Sequence, residues 1–246
     1  MDSKSGFIPE NGERALIVGQ TGSGKTAFAT WLMARIPIAP IIIYDTKEET
    51  KFPKLPNSVI VNDINGVANE YENPEVDYII FRPPVELLSK PLELDALLMF
   101  HYTNFRNSVC YIDEAYSFHN QGRAGPGLVA LMTRGRSRSI TTIISSQRPA
   151  MLSRFAITES QKIYVFRLAD KADRKRLSDV IPNFADLDLP PKHGFYYFES
   201  GEDFPELFKP IKLDAALNTG YTDEALPDNE IGKEQISEHL SKHVWI

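Results

Sequence analysis

Eight consecutive residues, Gly19-Gln20-Thr21-Gly22-Ser23-Gly24-Lys25-Thr26, fit the pattern G-x-x-x-x-G-K-[ST]. Glycines there let the backbone curl so that successive N–H groups point inward at phosphate oxygens, where side chains would block the approach. Lys25 offers a compact charge to the β- and γ-phosphates of a nucleotide, and the Thr26 hydroxyl can ligate Mg2+. By residue frequencies alone, the pattern arises in about 1% of chains this long. Its context is also the required one: Ala15-Leu16-Ile17-Val18 reads as a buried strand entering the loop, and Thr26 to Arg35 as a helix leaving it. That helix turns its positive end toward the phosphates. The expected ligands are ATP and Mg2+.

A second constellation lies far downstream. Val109-Cys110-Tyr111-Ile112-Asp113-Glu114 is an apolar strand ending in two carboxylates. At the carboxyl edge of a parallel sheet, Asp113 would face the phosphate loop and hold Mg2+, and Glu114 would orient and polarise the attacking water. Asp45 also ends a strand and competes with Asp113, but it lacks a neighbouring carboxylate suited to activating water. After the next strand comes Ser145-Ser146-Gln147-Arg148-Pro149. An amide at that edge, Gln147, can hydrogen-bond both the γ-phosphate and the lytic water. Before that strand stands Arg134-Gly135-Arg136-Ser137-Arg138, more cations than a turn needs. One of them is expected to reach a neighbouring subunit's ATP, the others being structural or facing DNA.

The elements that must hold these residues alternate short β-branched runs with helical patterns, as parallel βαβ architecture requires. Strands are expected at Ile41 to Tyr44, Val59 to Val61, Tyr78 to Phe81, Ser108 to Ile112, Ile140 to Ser145 and Lys162 to Leu168. Helices are expected at Leu92 to Phe105, Gly127 to Thr133 and Lys171 to Asp179, the second preceded by a flexible glycine-rich stretch from Gly122. Gly194 to Glu199 and Phe204 to Phe208 read as an antiparallel hairpin. The fold class is thus α/β: a P-loop NTPase core with a mostly parallel sheet between helices, closed by a C-terminal β-hairpin. One ATPase domain spans 1–213. A polar tail, 214–246, carries an apolar stripe at Ile231, Ile236, Leu240 and Val244 that suits a short helix.

The 246 residues, 42% hydrophobic and 24% charged, suit a soluble globular domain and exclude collagen-like and disordered classes. A single cysteine, Cys110, excludes an internal disulfide and suits a reducing compartment. The longest apolar stretch, Ile36 to Tyr44, holds two prolines and is too short to span a bilayer, so direct membrane insertion is not expected. A net charge of −6 argues against a dense nucleic-acid coat but not against threading DNA through a locally basic channel.

Taken together, the residues from about Arg14 to Phe208 resemble the HerA/FtsK superfamily of P-loop translocases, especially genome-packaging ATPases of membrane-containing icosahedral dsDNA viruses. The resemblance rests on the phosphate loop, Ile41 to Asp45 with its polar turn, and the Asp-Glu strand. It rests above all on Gly135-Arg136 leading through an apolar strand into Ser146-Gln147-Arg148-Pro149. Val165 to Leu168 with Asp170, Asp173 and Arg174, and Pro190-Pro191-Lys192-His193-Gly194 before an aromatic strand, are similar to the family's closing elements.

The resemblance implies an extra strand between the phosphate-loop strand and the Asp-Glu strand, rings of five or six copies, and double-stranded DNA threaded through the pore. It implies Arg136 as the trans-acting arginine finger. Many members carry a glycine shortly after that arginine, where this chain has Arg138-Ser139, so Arg136 and Arg138 both stand as candidates. The additional domains of chromosome-segregation and repair members are not seen, which favours packaging of a viral genome into a preformed capsid. That implies work in the host cytoplasm and on the virion, with a capsid vertex protein as a docking partner. A cellular HerA-like helicase or plasmid-transfer motor is the alternative in the same fold, and an ATP-dependent assembly switch that threads no nucleic acid is the alternative of a different class. For DNA contact, the candidate is the loop from Tyr116 to Arg123 with His119, Asn120 and Gln121. A second basic cluster, Lys171, Arg174, Lys175 and Arg176, reads as a solvated face or a subunit contact.

Overall fold

Runs of isoleucine, valine and tyrosine favour extended backbone, since side chains branched at Cβ are already stiff. Where such a run is apolar on both faces, it belongs inside a parallel sheet covered by helices. The computed structural model describes residues 6–120 and 122–211, so the expected tail from 214 with its Ile231 to Val244 stripe lies outside the described residues. The strands are β1 (Arg14–Val18), β2 (Ile41–Tyr44), β3 (Ser58–Val61), β4 (Tyr78–Phe81), β5 (Ser108–Ile112), β6 (His119–Asn120), β7 (Arg123–Ala124), β8 (Ile140–Ser146), β9 (Lys162–Phe166), β10 (Phe195–Glu199) and β11 (Glu206–Phe208). The helices are α1 (Lys25–Met33), α2 (Ile64–Tyr71), α3 (Val85–Leu88), α4 (Pro91–Asn104), α5 (Pro126–Arg134), α6 (Arg154–Thr158) and α7 (Lys171–Leu177).

Nine strands form one sheet in the order β11-β10-β9-β1-β8-β5-β2-β4-β3, with β6 and β7 a separate ribbon. Strands β9 through β3 in that order run parallel, and β10 and β11 add an antiparallel edge. The expected extra strand is present as β8, which lies between β1 and β5.

Alternation along each strand divides the core in two. Leu16, Val18, Ile42, Ile112 and Ile144 face Leu94, Leu98, Leu128 and Leu131 of α4 and α5. Ala15, Ile17, Ile43, Tyr111 and Ile143 face Phe28, Trp31 and Leu32 of α1. Each such side chain, fully buried, contributes about 1.5–3 kcal/mol relative to exposure, so both faces hold the sheet rigid beneath its carboxyl edge.

The glycine-rich stretch does not act as a flexible linker. The Asp95 carboxylate on α4 accepts the Gly127 and Leu128 N–H groups at 2.7 and 2.9 Å, capping the start of α5 from a neighbouring helix. A Cβ on Gly125 would collide with that carboxylate, and one on Gly127 would stand 2.5 Å from the Met99 backbone nitrogen. These glycines permit close helix approach. Helices α2 and α6 have no expected counterpart: both are short, and their legible signals are single N-caps, Asp63 accepting from Gly66 N–H and Ser153 from Ala156 N–H.

Candidate active site

Strand β1 ends at Val18 and α1 begins at Lys25, so the six residues between them turn the chain over the sheet's carboxyl edge. Gly22 and Gly24 take φ of 75° and 103°, conformations that a side chain would strain. A Cβ on Gly19 would lie 2.5 Å from Phe166 Cβ. The loop is fastened to both neighbouring strands: Gly19 N–H donates to the Ser146 carbonyl at 3.2 Å and Gln20 N–H to that of Arg167 at 3.0 Å. The Gln20 amide oxygen accepts the Ala169 N–H. A cavity of about 360 Å3 opens over the loop, bounded by Glu49, Lys51, Gln147, Phe166, His193, Pro210 and Ile211.

Asp113 and Glu114 follow β5 directly. Consecutive residues of an extended strand point to opposite faces, which would separate the two carboxylates. Glu114 instead takes a left-handed conformation, φ 50° and ψ 61°, at a cost on the order of 1 kcal/mol. Its carboxylate thereby comes to 3.5 Å from the Lys25 ammonium and 2.8 Å from that of Lys47. Glu114 Oε2 accepts the Gln147 backbone N–H at 3.2 Å. Asp113 Oδ1 accepts the Ser145 hydroxyl at 2.8 Å. Burial pushes the Asp113 carboxyl above its ordinary range, with the nearby Lys25 charge and the Ser145 bond pulling the other way.

The donor set suits a hard cation. Asp113 Oδ2 is buried and has no hydrogen-bond partner among the described residues, which leaves it free to accept a metal ion or its water. The Thr26 hydroxyl stands 3.5 Å from Glu49 Oε1. Among the described residues no group of three or more His, Cys, Asp or Glu could hold a metal ion.

Asp45, the competitor of Asp113, is already engaged. It accepts Arg82 Nε and the Glu49 N–H, both at 3.0 Å, and so braces the turn after β2. The Gln147 amide oxygen accepts the Thr21 hydroxyl at 2.8 Å, tying the end of β8 to the phosphate loop. Its neighbour Arg148 is fixed by Asp173 at 3.0 Å, which also accepts the Ala150 N–H, so α7 holds the turn that presents Gln147.

Over 177 residues the chain is 30% identical to the DNA packaging ATPase P9 of Enterobacteria phage PRD1, covering 71% of this chain and 73% of P9. The chain belongs to the family of viral DNA-packaging ATPases. No family model matches this packaging ATPase. Its fold is that of the genome packaging NTPase B204 of Sulfolobus turreted icosahedral virus 2, in complex with ATP-gammaS, with a TM-score of 0.65 at 16% identity over 82% of this chain and 98% of B204. The B204 DNA-packaging ATPase from Sulfolobus turreted icosahedral virus gives a TM-score of 0.63 at 19% identity, covering 83% and 100% of the two chains.

Elsewhere in this packaging ATPase the expected residues part company. Arg138 donates to the Thr103 carbonyl at 2.9 Å and lies 4.7 Å over the Tyr102 ring. Arg136 is exposed, and its side chain makes no hydrogen bond or ion pair among the described residues. His119 is not available to DNA: it is buried, with Nδ1 2.8 Å from the Ala115 carbonyl and Nε2 3.1 Å from the Ser153 hydroxyl. It holds the turn behind Glu114. Of that loop, Arg123 is exposed, while Gln121 lies outside the described residues. In the second basic cluster, Arg174 donates to the Phe184 and Leu187 carbonyls and Arg176 pairs with Asp179, so both serve the fold. No helix among the described residues is long and apolar enough to cross a membrane.

Sequence reasoning passed over Lys47, Ser145 and His193. Ser145 was legible in principle: β5 and β8 pair with Ile112 opposite Ile144, so the next pair is Asp113 and Ser145. His193, whose Nδ1 is 3.3 Å from the Ser23 carbonyl, stands in the Pro190 to Gly194 string that marks the closing elements, but nothing in that string points it at the phosphate loop.

Proposed function

We propose that this packaging ATPase is an ATP-driven motor that threads double-stranded DNA into a preformed viral capsid. It would act as a ring of five or six copies docked at a capsid vertex, in the host cytoplasm and on the virion. The observation that carries the chemistry is the meeting of the Lys25 ammonium and the buried Glu114 carboxylate at 3.5 Å beneath a glycine-lined phosphate cradle. The names of P9 and B204 support the packaging role.

On this reading the N–H groups of Gly19 to Lys25 receive the phosphates, while His193, Pro210 and Ile211 give the nucleobase an apolar wall. The Thr26 hydroxyl and Asp113 would hold Mg2+, which would supply positive charge to the phosphates. Lys25 neutralises charge on the transferred group. A water between Glu114 and the γ-phosphorus bonds to phosphorus as the bridging oxygen leaves on ADP, and its proton passes to the carboxylate. Gln147 orients that water, and Arg136 of a neighbouring copy completes the charge around the phosphoryl group. Net-negative subunits can still grip DNA through a few exposed cations such as Arg123, since the phosphate backbone is the track.

The test is ATP turnover with and without duplex DNA, on the wild type and on Glu114→Gln. Stimulation by duplex, together with a variant that binds ATP but turns over about 10²–10⁴-fold more slowly, is the expected result. Turnover indifferent to duplex would point instead to an assembly switch, and strand separation to a helicase.

A further inference from the structure

Both oxygens of Glu114 are engaged. Lys47 and Lys25 meet at Oε1, 2.8 and 3.5 Å away, and the Gln147 N–H occupies Oε2. A carboxylate with two cations at one oxygen and a peptide N–H at the other is held in place from both sides. As observed, then, the residue proposed as the base is restrained.

The Lys47 restraint comes from a turn built to deliver it. After β2, the buried Asp45 holds the Glu49 N–H and Arg82, and Arg82 also donates to the Glu49 carbonyl at 3.1 Å. The Thr46 hydroxyl donates to the Asp113 carbonyl at 3.2 Å. The turn is thus fastened to β4 on one side and to the acid pair on the other. Its backbone is fixed, yet the Lys47 side chain remains 33% exposed and shares the Glu114 carboxylate with Lys25, which lines the cavity. Nothing else in the turn reaches Glu114.

We propose that Lys47 is a positioning residue shared between Glu114 and the terminal phosphate. It pairs with Glu114 in the absence of a triphosphate and moves to the γ-phosphate when one is bound, leaving a Glu114 oxygen to receive water. Because Lys25 and Lys47 converge on one carboxylate oxygen, a phosphate within reach of Lys25 is a short side-chain swing from Lys47. A γ-phosphate carries more negative charge than a single carboxylate and draws the second cation toward itself. A diphosphate ends before that point, so Lys47 distinguishes ATP from ADP. The inference rests on Glu114 being the base.

Lys47→Met, Lys47→Gln and Lys47→Arg are compared with Glu114→Gln in the full-length protein, measuring steady-state hydrolysis, titrations with ATPγS and with ADP, and melting temperature. Lys47→Met and Lys47→Gln are expected to lose about 30-fold in kcat. Their ATPγS affinity should fall about tenfold while ADP affinity and melting temperature hold, and Lys47→Arg should recover most of both losses. Wild-type kcat in Lys47→Met or Lys47→Gln overturns the proposal. So does equal loss of ADP and ATPγS affinity, the mark of a merely displaced turn. If Glu114→Gln is inert while the Lys47 variants turn over normally, only the role of Lys47 fails. If Glu114→Gln itself turns over normally, the assignment of the base fails with it.

Discussion

Asp113 shows why an active-site carboxylate costs stability. Burial removes the water that would solvate it, and among the described residues no donor to its Oδ2 replaces that water. Its pKa in the folded chain therefore lies above the ordinary 3.8. A raised carboxyl pKa means that the folded state holds the proton more tightly than the unfolded one, so this group's contribution favours folding below its ordinary pKa. That contribution is lost as pH rises through the shifted value. Asn is isosteric, keeps an acceptor for Ser145 and carries no charge to desolvate. Asp113→Asn should raise the melting temperature by about 2–4 °C near pH 7.5, roughly 1 kcal/mol in a chain of this size. The gain should shrink toward pH 4, as the wild-type carboxyl takes up its proton. Calorimetric scans at both pH values check this; a gain that grows on acidification would show the aspartate to be stabilising rather than costly.

Among the elements, the packing of α5 on α4 fixes the back of the site, because His119 and the turn behind Glu114 lie between those helices and α6. At Gly127 a Cβ would meet backbone atoms of α4, which cannot rotate away as a side chain could. Gly127→Ala is expected to cost about 2 kcal/mol, read as a fall of roughly 4–8 °C in melting temperature. Gly122→Ala is the control, since a Cβ there meets nothing within 4 Å and only its φ of 75° is penalised, for about 1 kcal/mol. Equal losses in the two variants would show that helix approach is not what Gly127 provides. What could be read from the sequence follows the same division. The strands Tyr78–Phe81 and Ser108–Ile112 were legible to the residue, because a run apolar on both faces and bounded by turn residues has few other ways to fold. The phosphate loop was legible because its chemistry is local. Lys47 was not: its partner is 67 residues away, and the two meet only because β2 lies beside β5. Nor was the left-handed turn at Glu114, since Ala115 and Tyr116 are no usual signal for one. Asp95 escaped because it caps a helix other than its own.

For the whole molecule, the two ends of β8 matter most. Arg136 precedes its first residue and Gln147 follows its last. A strand of seven residues spans about 20 Å, several times the reach of an arginine side chain. Arg136 cannot serve the phosphate loop of its own chain, so any catalytic duty must be to a neighbour. A complementation assay tests this: Arg136→Ala subunits keep an intact pocket, and Glu114→Gln subunits keep the arginine. Each alone should be nearly inert. Mixed in equal amounts, they should recover about a quarter of wild-type turnover, the fraction of sites where an intact pocket meets an intact arginine in a randomly assembled ring. Recovery indistinguishable from zero would remove Arg136 from catalysis in trans and return attention to Arg138.

β8 is also buried along its whole length, with hydrogen-bonded strands on either side. Such a rod has little room to bend, so, on the proposed mechanism, a displacement of its Gln147 end as phosphate departs would be felt toward the Arg136 end. One copy's spent fuel would then nudge the next copy's trigger, and firing would pass around the circle in order without any separate timing part.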